Sequence, residues 1–433
     1  MKDAILGGLI TGAIAMAILA GCSDLGLKRK SNVTSNTVDL DPTFGQLGYI
    51  VHNNAAGGNS RDRGDAVVVD LSGRILATGF SAGSGHTEMT IWRFNADGAL
   101  DTTFNGKGFV THSGRVDMYY VYGADIAIDS SSRIVVAGFD GAQLALWRFQ
   151  PDGSLDTTFG GADGKGYVTD SITTQSAYTD ATSLVIDPWG RIVVTGYINR
   201  SFPQDDFSLV ASSMGVWRFN DDGTPDTSFN GSGYVAFDNP KHIYLGARGN
   251  DVVLDAHGRL VIVGDCGGDI CIWRYLEDGS LDSTFNGVGY LMHNPGPEIN
   301  GRKTGNAVII DASGNILVAG NNEYYRYQDA TTFEDMTVWR FTAEGTPDST
   351  FNHKGYVTHR PIAGAGGNAW GQDLALDISG RIVVAGASEG IGAGVDMAVW
   401  RFSADGVLDT SFNGAGYFTH DNAAGGQGSD SGE

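Results

Sequence analysis

Four aspartates that recur at the start of a repeated apolar strand are the first candidates for chemistry in this sequence. The six copies of this position hold Asp65, Asp125, Ser183, Asp251, Asn306 and Asp373. If the strands surround an axis, these side chains ring one mouth of a channel, where carboxylates would attract a cation or a sugar. The alternative is that they cap strands and bind water.

A second set of carboxylates lies in repeated turns such as Asp97-Gly98-Ala99-Leu100-Asp101. Two carboxylates four residues apart are too few oxygen ligands for an EF-hand-like calcium loop. Turn capping explains them with fewer assumptions. We therefore expect no cofactor, and calcium remains the one metal that these turns or the channel mouth could hold.

Sequence motifs for catalysis are absent. The chain contains no Gly-x-Ser-x-Gly, no His-Glu-x-x-His and no glycine-rich phosphate loop. Histidines recur after one repeated strand, which favours a structural place for His52, His112, His293, His359 and His420. The sequence favours a non-enzymatic protein but leaves open an enzyme whose site is assembled from scattered residues.

Internal repeats dominate the chain. A Trp-Arg-aromatic phrase, followed by a glycine turn and Asp-Thr/Ser-Thr/Ser-Phe, occurs six times, with tryptophans at Trp92, Trp147, Trp217, Trp273, Trp339 and Trp400. Upstream of each lies an apolar run, then Asp-x-x-Gly-Arg and a second apolar run, as in Val67–Gly79. Each unit of about 60 residues contains four short strands rich in β-branched and aromatic residues. Such units predict an all-β, six-bladed β-propeller of four-stranded antiparallel blades over residues 39–420.

The sequence does not decide which terminal strand closes the ring. The glycine-aromatic strand occurs seven times, because an extra copy precedes the first blade at Leu40–Tyr49 and the last lies at Phe412–Tyr417. Either terminal copy could complete the last blade, and a seven-bladed ring is the weaker alternative because no seventh Trp-Arg phrase exists.

The two repeated phrases resemble the delta-60 repeat family of bacterial exported proteins. The resemblance covers roughly Leu40 to His420, with Asn315 in place of the usual arginine as one departure. It implies a propeller fold and no settled activity. A weaker likeness extends to other six-bladed propellers, which include scaffolding modules and lactonases.

Variable connections provide the main indication of function. From the glycine that ends the second strand to the next Trp, the intervals are 13, 9, 21, 9, 19 and 14 residues, whereas the Asp-x-x-Gly turns barely change. The variable connections share one face, and binding sites tend to lie on variable loops. Aromatic and Arg residues of this face are the candidates for protein or glycan contacts: Tyr119, Tyr120, Tyr122, Tyr244, Arg248, Tyr324, Tyr325, Arg326, Tyr327 and Trp370. The alternative is that they fold back over the scaffold.

The N-terminal segment has the pattern of an export signal. An apolar run from Ala4 to Ala20 ends in Leu19-Ala20-Gly21-Cys22, which resembles a bacterial lipobox with Cys22 as the lipidated residue. Ser23 favours the outer membrane or cell surface by the same resemblance. Residues 1–21 are thus read as a signal peptide, 22–38 as a polar tether and 421–433 as a disordered tail.

Charge and cysteine content limit the partners. The formal net charge of −22 argues against nucleic acid, whose phosphates need a basic surface. Export permits a disulfide, and Cys266 and Cys271 flank a predicted hairpin turn. The leading hypothesis is a lipid-anchored, non-catalytic binding or scaffolding protein that contacts the membrane only through its anchor. The alternatives are a glycan- or lactone-directed propeller enzyme and a purely structural surface protein.

Overall fold

The computed structural model describes residues 4–6, 40–58, 61–83, 85–114, 120–161, 164–170, 178–200, 211–241, 246–294, 301–326, 331–360, 367–389 and 395–420. Within these ranges the chain forms six four-stranded antiparallel sheets in sequence order. The six-bladed propeller predicted from the repeats is therefore confirmed. Cys22, the tether and the tail lie outside the described residues.

Each blade uses its four strands in the same order. The first strands, which contact each other from blade to blade and so lie innermost, are Asp62–Val69, Tyr122–Ile128, Tyr178–Ile186, Arg248–Leu254, Lys303–Ile310 and Ala369–Leu376. The second strands are Ile75–Ala82, Ile134–Phe139, Ile192–Arg200, Leu260–Cys266, Ile316–Arg326 and Ile382–Glu389. The third strands are Thr87–Phe94, Leu144–Phe149, Ala211–Phe219, Asp269–Tyr275, Thr331–Phe341 and Val395–Phe402. The fourth strands are Phe109–His112, Tyr167–Thr169, Tyr234–Phe237, Tyr290–His293, Tyr356–His359 and Tyr417–His420.

The Asp-x-x-Gly-Arg turn is built by its aspartate. The Asp70 carboxylate accepts hydrogen bonds from Ser72 N at 2.8 Å and Arg74 N at 2.9 Å, and it pairs with Arg74 Nε at 2.6 Å. Gly73 has φ +77°, a left-handed conformation that glycine adopts without steric cost. In the fifth blade Asn315 replaces the arginine and still donates to the aspartate, with 2.9 Å between Asn315 Nδ2 and Asp311 Oδ2.

The arginine of each Trp-Arg phrase is buried, and in blades one to five it forms a latch to the next blade. In the second blade Arg148 Nε lies 2.7 Å from Asp156 Oδ2, and the guanidinium carbon lies 4.6 Å from the centre of the Phe159 ring. Arg148 also donates to the backbone carbonyl of Asp221, in the turn of the next blade. One side chain thus holds its own hairpin and the neighbouring blade together.

Among the described residues, five large apolar clusters each join two consecutive blades, from the first pair to the fifth and sixth. All six repeated tryptophans are at most 1% exposed, and Trp147 donates from Nε1 to His112 Nδ1 of the preceding blade at 3.2 Å. The repeated Trp and some of the repeated His are therefore fold residues, because they fill the space between sheets.

The segment before the first blade lies between the sixth blade and the first. Tyr417–His420 is the fourth strand of the sixth blade, so Ile50–His52 does not complete that sheet and instead pairs with Ala4–Leu6. His52 Nδ1 accepts from Trp92 Nε1 at 3.1 Å, while the Tyr49 ring centre lies 5.6 Å from that of His420. Two smaller apolar clusters, one on blade one and one on blade six, flank this segment.

Cys266 and Cys271 are joined by a disulfide at the tip of the second hairpin of blade four, with 5.8 Å between their Cα atoms. Gly267 and Gly268 form the turn between them, both with positive φ. In the part of the chain that the structure describes, we find no helix of the length and apolarity needed to span a bilayer.

Candidate functional site

The aspartates predicted at the channel mouth tie neighbouring blades together. Asp125 Oδ2 accepts from Leu184 N of the next blade at 2.7 Å, and Asp251 Oδ2 accepts from Val308 N of its next blade at 2.7 Å. Ser183 Oγ lies between them, 3.0 Å from Asp125 and 2.8 Å from Asp251. Strand capping, the alternative given by the sequence, accounts for these contacts.

Burial makes these carboxyls weak acids. Desolvation raises the pKa of Asp125 to about 7, with the Asp251 charge adding to the effect. Desolvation also raises the pKa of Asp251 and, together with the charges of Asp251 and Asp125, that of Asp373. Asp373 Oδ2 is buried without a hydrogen-bond partner among the described residues.

Asp65 and Asn306 do not belong to this set, which corrects the alignment made from sequence. Both lie one residue earlier, at the bulge where the inner strand shifts register against the second strand. There Asn306 Nδ2 donates to Gly371 O of the next blade at 2.7 Å, and Asp65 pairs with Arg63 Nε at 2.7 Å. The equivalents of Asp125 in blades one and five are the alanines Ala66 and Ala307, so the carboxylates come from alternate blades.

A variable inner-strand position lies nearer the variable-loop face, immediately before the glycine or alanine that precedes the bulge. We call its residues the mouth ring: Arg63, Tyr122, Asp180, Arg248, Thr304 and Trp370. Each pairs across the first hairpin with one residue of the second strand: Phe80, Phe139, Tyr197, Asp265, Asn321 and Ala387. The scaffold thus presents five types of side chain from six blades at one mouth of the channel.

Aromatic rings line blades two and three of this mouth. The aromatic arc consists of Tyr120, Tyr122, Phe139, Tyr178 and Tyr197, with successive ring centres 5.2, 5.9, 4.8 and 6.2 Å apart. Tyr120 is 43% exposed and Tyr178 39% exposed. At the end of the arc, the Arg248 guanidinium lies 4.3 Å from the centre of the Tyr197 ring.

Asp180 is a buried carboxylate within this arc. Its Oδ2 accepts hydrogen bonds from the hydroxyl of Tyr122 at 2.5 Å and that of Tyr197 at 2.9 Å. Its Oδ1 is buried and has no hydrogen-bond partner in the part of the chain that the structure describes. Desolvation raises the pKa of Asp180 to about 6, against the lowering effect of the two phenols and of Arg248.

A polar cavity of about 380 Å³ opens beside the arc, between blades four and five. Its walls are formed by Arg248, Asn250, Asp265, Arg302, Thr304, Asn306, Asn321, Glu323 and Glu334. The glutamates face each other across the long second hairpin of blade five, which is one of the variable connections. Arg248 belongs to both the arc and the cavity and joins them into one site.

The predicted loop-face residues divide between this site and the scaffold. Tyr120, Arg248 and Trp370 lie at the mouth, and Trp370 Nε1 donates to Glu334. Tyr324 instead stacks on Phe333 with ring centres 5.5 Å apart. The backbones of Tyr325 and Arg326 end the second strand of blade five, whereas Tyr119, Tyr244 and Tyr327 lie outside the described residues.

Asp180, Asp265, Arg302, Glu323 and Glu334 were not among the sequence candidates. The repeats did contain a signal for Asp180 and Asp265, because both occupy positions of the first hairpin at which the residue type differs from blade to blade. Arg302, Glu323 and Glu334 lie in segments of variable length, where alignment of the repeats fails. An alignment of the six repeats therefore has no position at which these three residues stand out.

Metal binding finds no support in the geometry. Among the described residues, no three His, Cys, Asp or Glu side chains are grouped closely enough to hold an ion. The carboxylates of Asp125 and Asp251 already accept backbone N–H groups, so they do not fit a calcium site of six or more oxygens.

Comparison with known families agrees with the fold. Residues 72–104, 130–159, 258–285 and 379–412 match the family described as a domain of unknown function (DUF5122) β-propeller. The match supports assignment of the repeats to a β-propeller repeat family. No curated protein sequence matches the chain.

Several solved structures are similar at low identity. An ulvan lyase of polysaccharide lyase family PL25 shares 11% identity at a TM-score of 0.45, over 93% of this chain and 94% of its own. A protein from Lactobacillus plantarum shares 12% identity at 0.45, over 93% and 92%. Regucalcin from Agrobacterium tumefaciens, a calcium-binding protein, shares 12% identity at 0.33, over 75% and 81%. No functional conclusion follows from similarity at these values.

Proposed function

We propose that this propeller is a non-catalytic binding protein whose ligand site is the mouth on the variable-loop face. The observation that carries the proposal is the continuity of the aromatic arc with the polar cavity through Arg248. A site with apolar ring faces on one side and hydrogen-bonding groups on the other suits an amphipathic, hydroxyl-rich ligand. A glycan chain has this character, since its sugar rings carry C–H faces and peripheral hydroxyls.

The enzymatic alternative through channel carboxylates receives less support. Asp125 and Asp251 use their oxygens on backbone N–H groups of the next blade, which makes them structural rather than free to transfer protons to a ligand. Asp180 is the carboxylate whose position and raised pKa would suit acid–base work. Turnover of a bound glycan that is abolished in Asp180→Asn would replace the binding proposal with the enzymatic one.

Glycan binding by the purified protein tests the proposal. We expect micromolar to millimolar affinity for at least one class of oligosaccharide, and we expect Tyr178→Ala to weaken it roughly tenfold, about 1.4 kcal/mol, because the exposed ring supplies stacking area. Trp189→Ala is the matched control, since Trp189 is 64% exposed in a turn on the opposite face. Calorimetry that finds no glycan ligand, or equal losses in the two variants, would contradict the proposal.

We further propose that the propeller is exported and tethered through a lipid on Cys22, at the outer membrane or cell surface, where glycan or protein partners are accessible. The support is the apolar run that ends in Leu19-Ala20-Gly21-Cys22. Cys22→Ser is expected to abolish palmitate labelling and release the protein from the membrane fraction. Membrane retention and labelling of this variant equal to the unaltered protein would refute the anchor.

A further inference from the structure

Two arginines at the candidate site make no direct ion pair of the kind that arginines make elsewhere in this propeller, although the charges of both act on Asp265. Arg248 and Arg302 both line the cavity and are exposed. Neither makes an ion pair or a side-chain hydrogen bond within the part of the chain that the structure describes. By contrast, the arginines of the repeated turns and latches form ion pairs with aspartates. The distance from Arg133 Nε to Asp129 Oδ2 is 2.5 Å, and that from Arg218 Nε to Asp226 Oδ2 is 2.7 Å.

Two of the three carboxylates of the same cavity, those of Asp265 and Glu334, already accept hydrogen bonds. Asp265 accepts hydrogen bonds from the backbone of Gly267 and Gly268, at the tip of its own hairpin. Glu334 accepts from the Trp370 indole. The two guanidinium groups of the cavity wall therefore keep unused hydrogen-bonding capacity, and all of it is donor capacity.

We infer that the cavity receives an anionic group of the ligand, a carboxylate or a sulfate ester, and that the ligand is an acidic glycan. This inference rests on the proposed function and names its ligand class. Planar guanidinium groups bind such anions through paired, charge-assisted hydrogen bonds. The anion would sit between Arg248 and Arg302, while neighbouring sugar rings lie along the aromatic arc.

The overall charge of the chain makes this arrangement specific. At a net charge of −22, the protein repels polyanions in general. At this mouth Arg248 and Arg302 are the groups that would offset the repulsion, against the carboxylates of Asp265, Glu323 and Glu334 in the same wall.

A glycan array that carries neutral, uronate-containing and sulfated oligosaccharides tests this inference, followed by calorimetry on the bound members. We expect binding to acidic members, weakened about 10- to 100-fold by Arg302→Gln and by Arg248→Gln, and weakened for the unaltered protein as NaCl rises from 50 to 500 mM. Lys107→Gln is the control, because it removes one exposed positive charge on the opposite face. Arg302→Lys keeps the positive charge but loses the planar set of guanidinium donors. We therefore expect it to retain only part of the affinity that Arg302→Gln loses.

The outcomes separate this inference from the function on which it rests. Preference for neutral glycans would overturn the acidic ligand and leave the binding site standing. Acidic binding that the Arg248→Gln/Arg302→Gln double variant retains would also overturn it. A lack of binding to every glycan would reject both proposals. Uronate and sulfate members on the same array distinguish the two sources of the anion, and thermal melting verifies that each variant is folded.

Discussion

Arg148→Ala is expected to lower the free energy of unfolding by about 3–5 kcal/mol, because it leaves the Asp156 carboxylate buried without its cation. Arg148 is 2% exposed, and besides Asp156 it binds Thr158 Oγ1 at 3.2 Å and the ring face of Phe159. It also donates to a carbonyl in the turn of the third blade. The substitution therefore opens the hairpin and the blade interface at once. Urea unfolding monitored by tryptophan fluorescence measures the loss.

The control is Lys241→Ala, which removes a lysine from an aspartate near the protein surface. The Lys241 ammonium lies 3.1 Å from Asp269, and the two side chains are 54% and 18% exposed. Water replaces the lost partner there, so the expected loss is at most about 1 kcal/mol. Similar losses in the two variants would show that the buried latch does not hold the blades together.

Asp125→Asn is expected to become progressively more stable relative to the unaltered protein as the pH rises from 5 to 8. Burial raises the pKa of Asp125 from 3.8 to about 7 in the folded state. The folded protein therefore binds more protons than the unfolded chain between these values, and its stability falls as the pH increases through that window. Asparagine does not titrate, so the variant escapes this loss.

The size of the effect follows from proton linkage. Each pH unit within the window changes the difference in unfolding free energy by up to about 1.4 kcal/mol. Asparagine also gives up one acceptor for a backbone N–H, which adds a constant cost of about 1–3 kcal/mol at every pH. The slope of the difference against pH, from urea unfolding at several pH values, is therefore the quantity to measure.

Asp278→Asn is the control for this slope. Hydrogen bonds from Ser280 lower the pKa of Asp278, so its titration lies below the window and its removal leaves the pH dependence between 5 and 8 unchanged. A flat difference for Asp125→Asn as well would mean that the Asp125 carboxyl ionises normally in the channel.

The acidic residues show how far the repeats could be interpreted from sequence. Asp70 and Asp101 recur at fixed offsets from glycines, and turn capping was predicted for such residues because a carboxylate satisfies turn amides locally. Asp65 and Asp125 looked equivalent because both begin an apolar strand. The bulge before Ala66 places them one residue apart, and a bulge depends on pairing with the second strand, which sequence spacing does not record.

By itself, the sequence determined the six blades, their four strands and their turns, because these depend on contacts within about 60 residues that repeat with the same residue types. Tertiary structure decided what the blades bring together. Tyr122, Asp180, Tyr197 and Arg248 come from three blades and meet only because the inner strands surround one axis. The place of Ile50–His52 between blades six and one was likewise decided by packing against Trp92, since two terminal strands had the same sequence signal. A binding mouth assembled from different repeats leaves no motif in any one of them, because its geometry exists only between them.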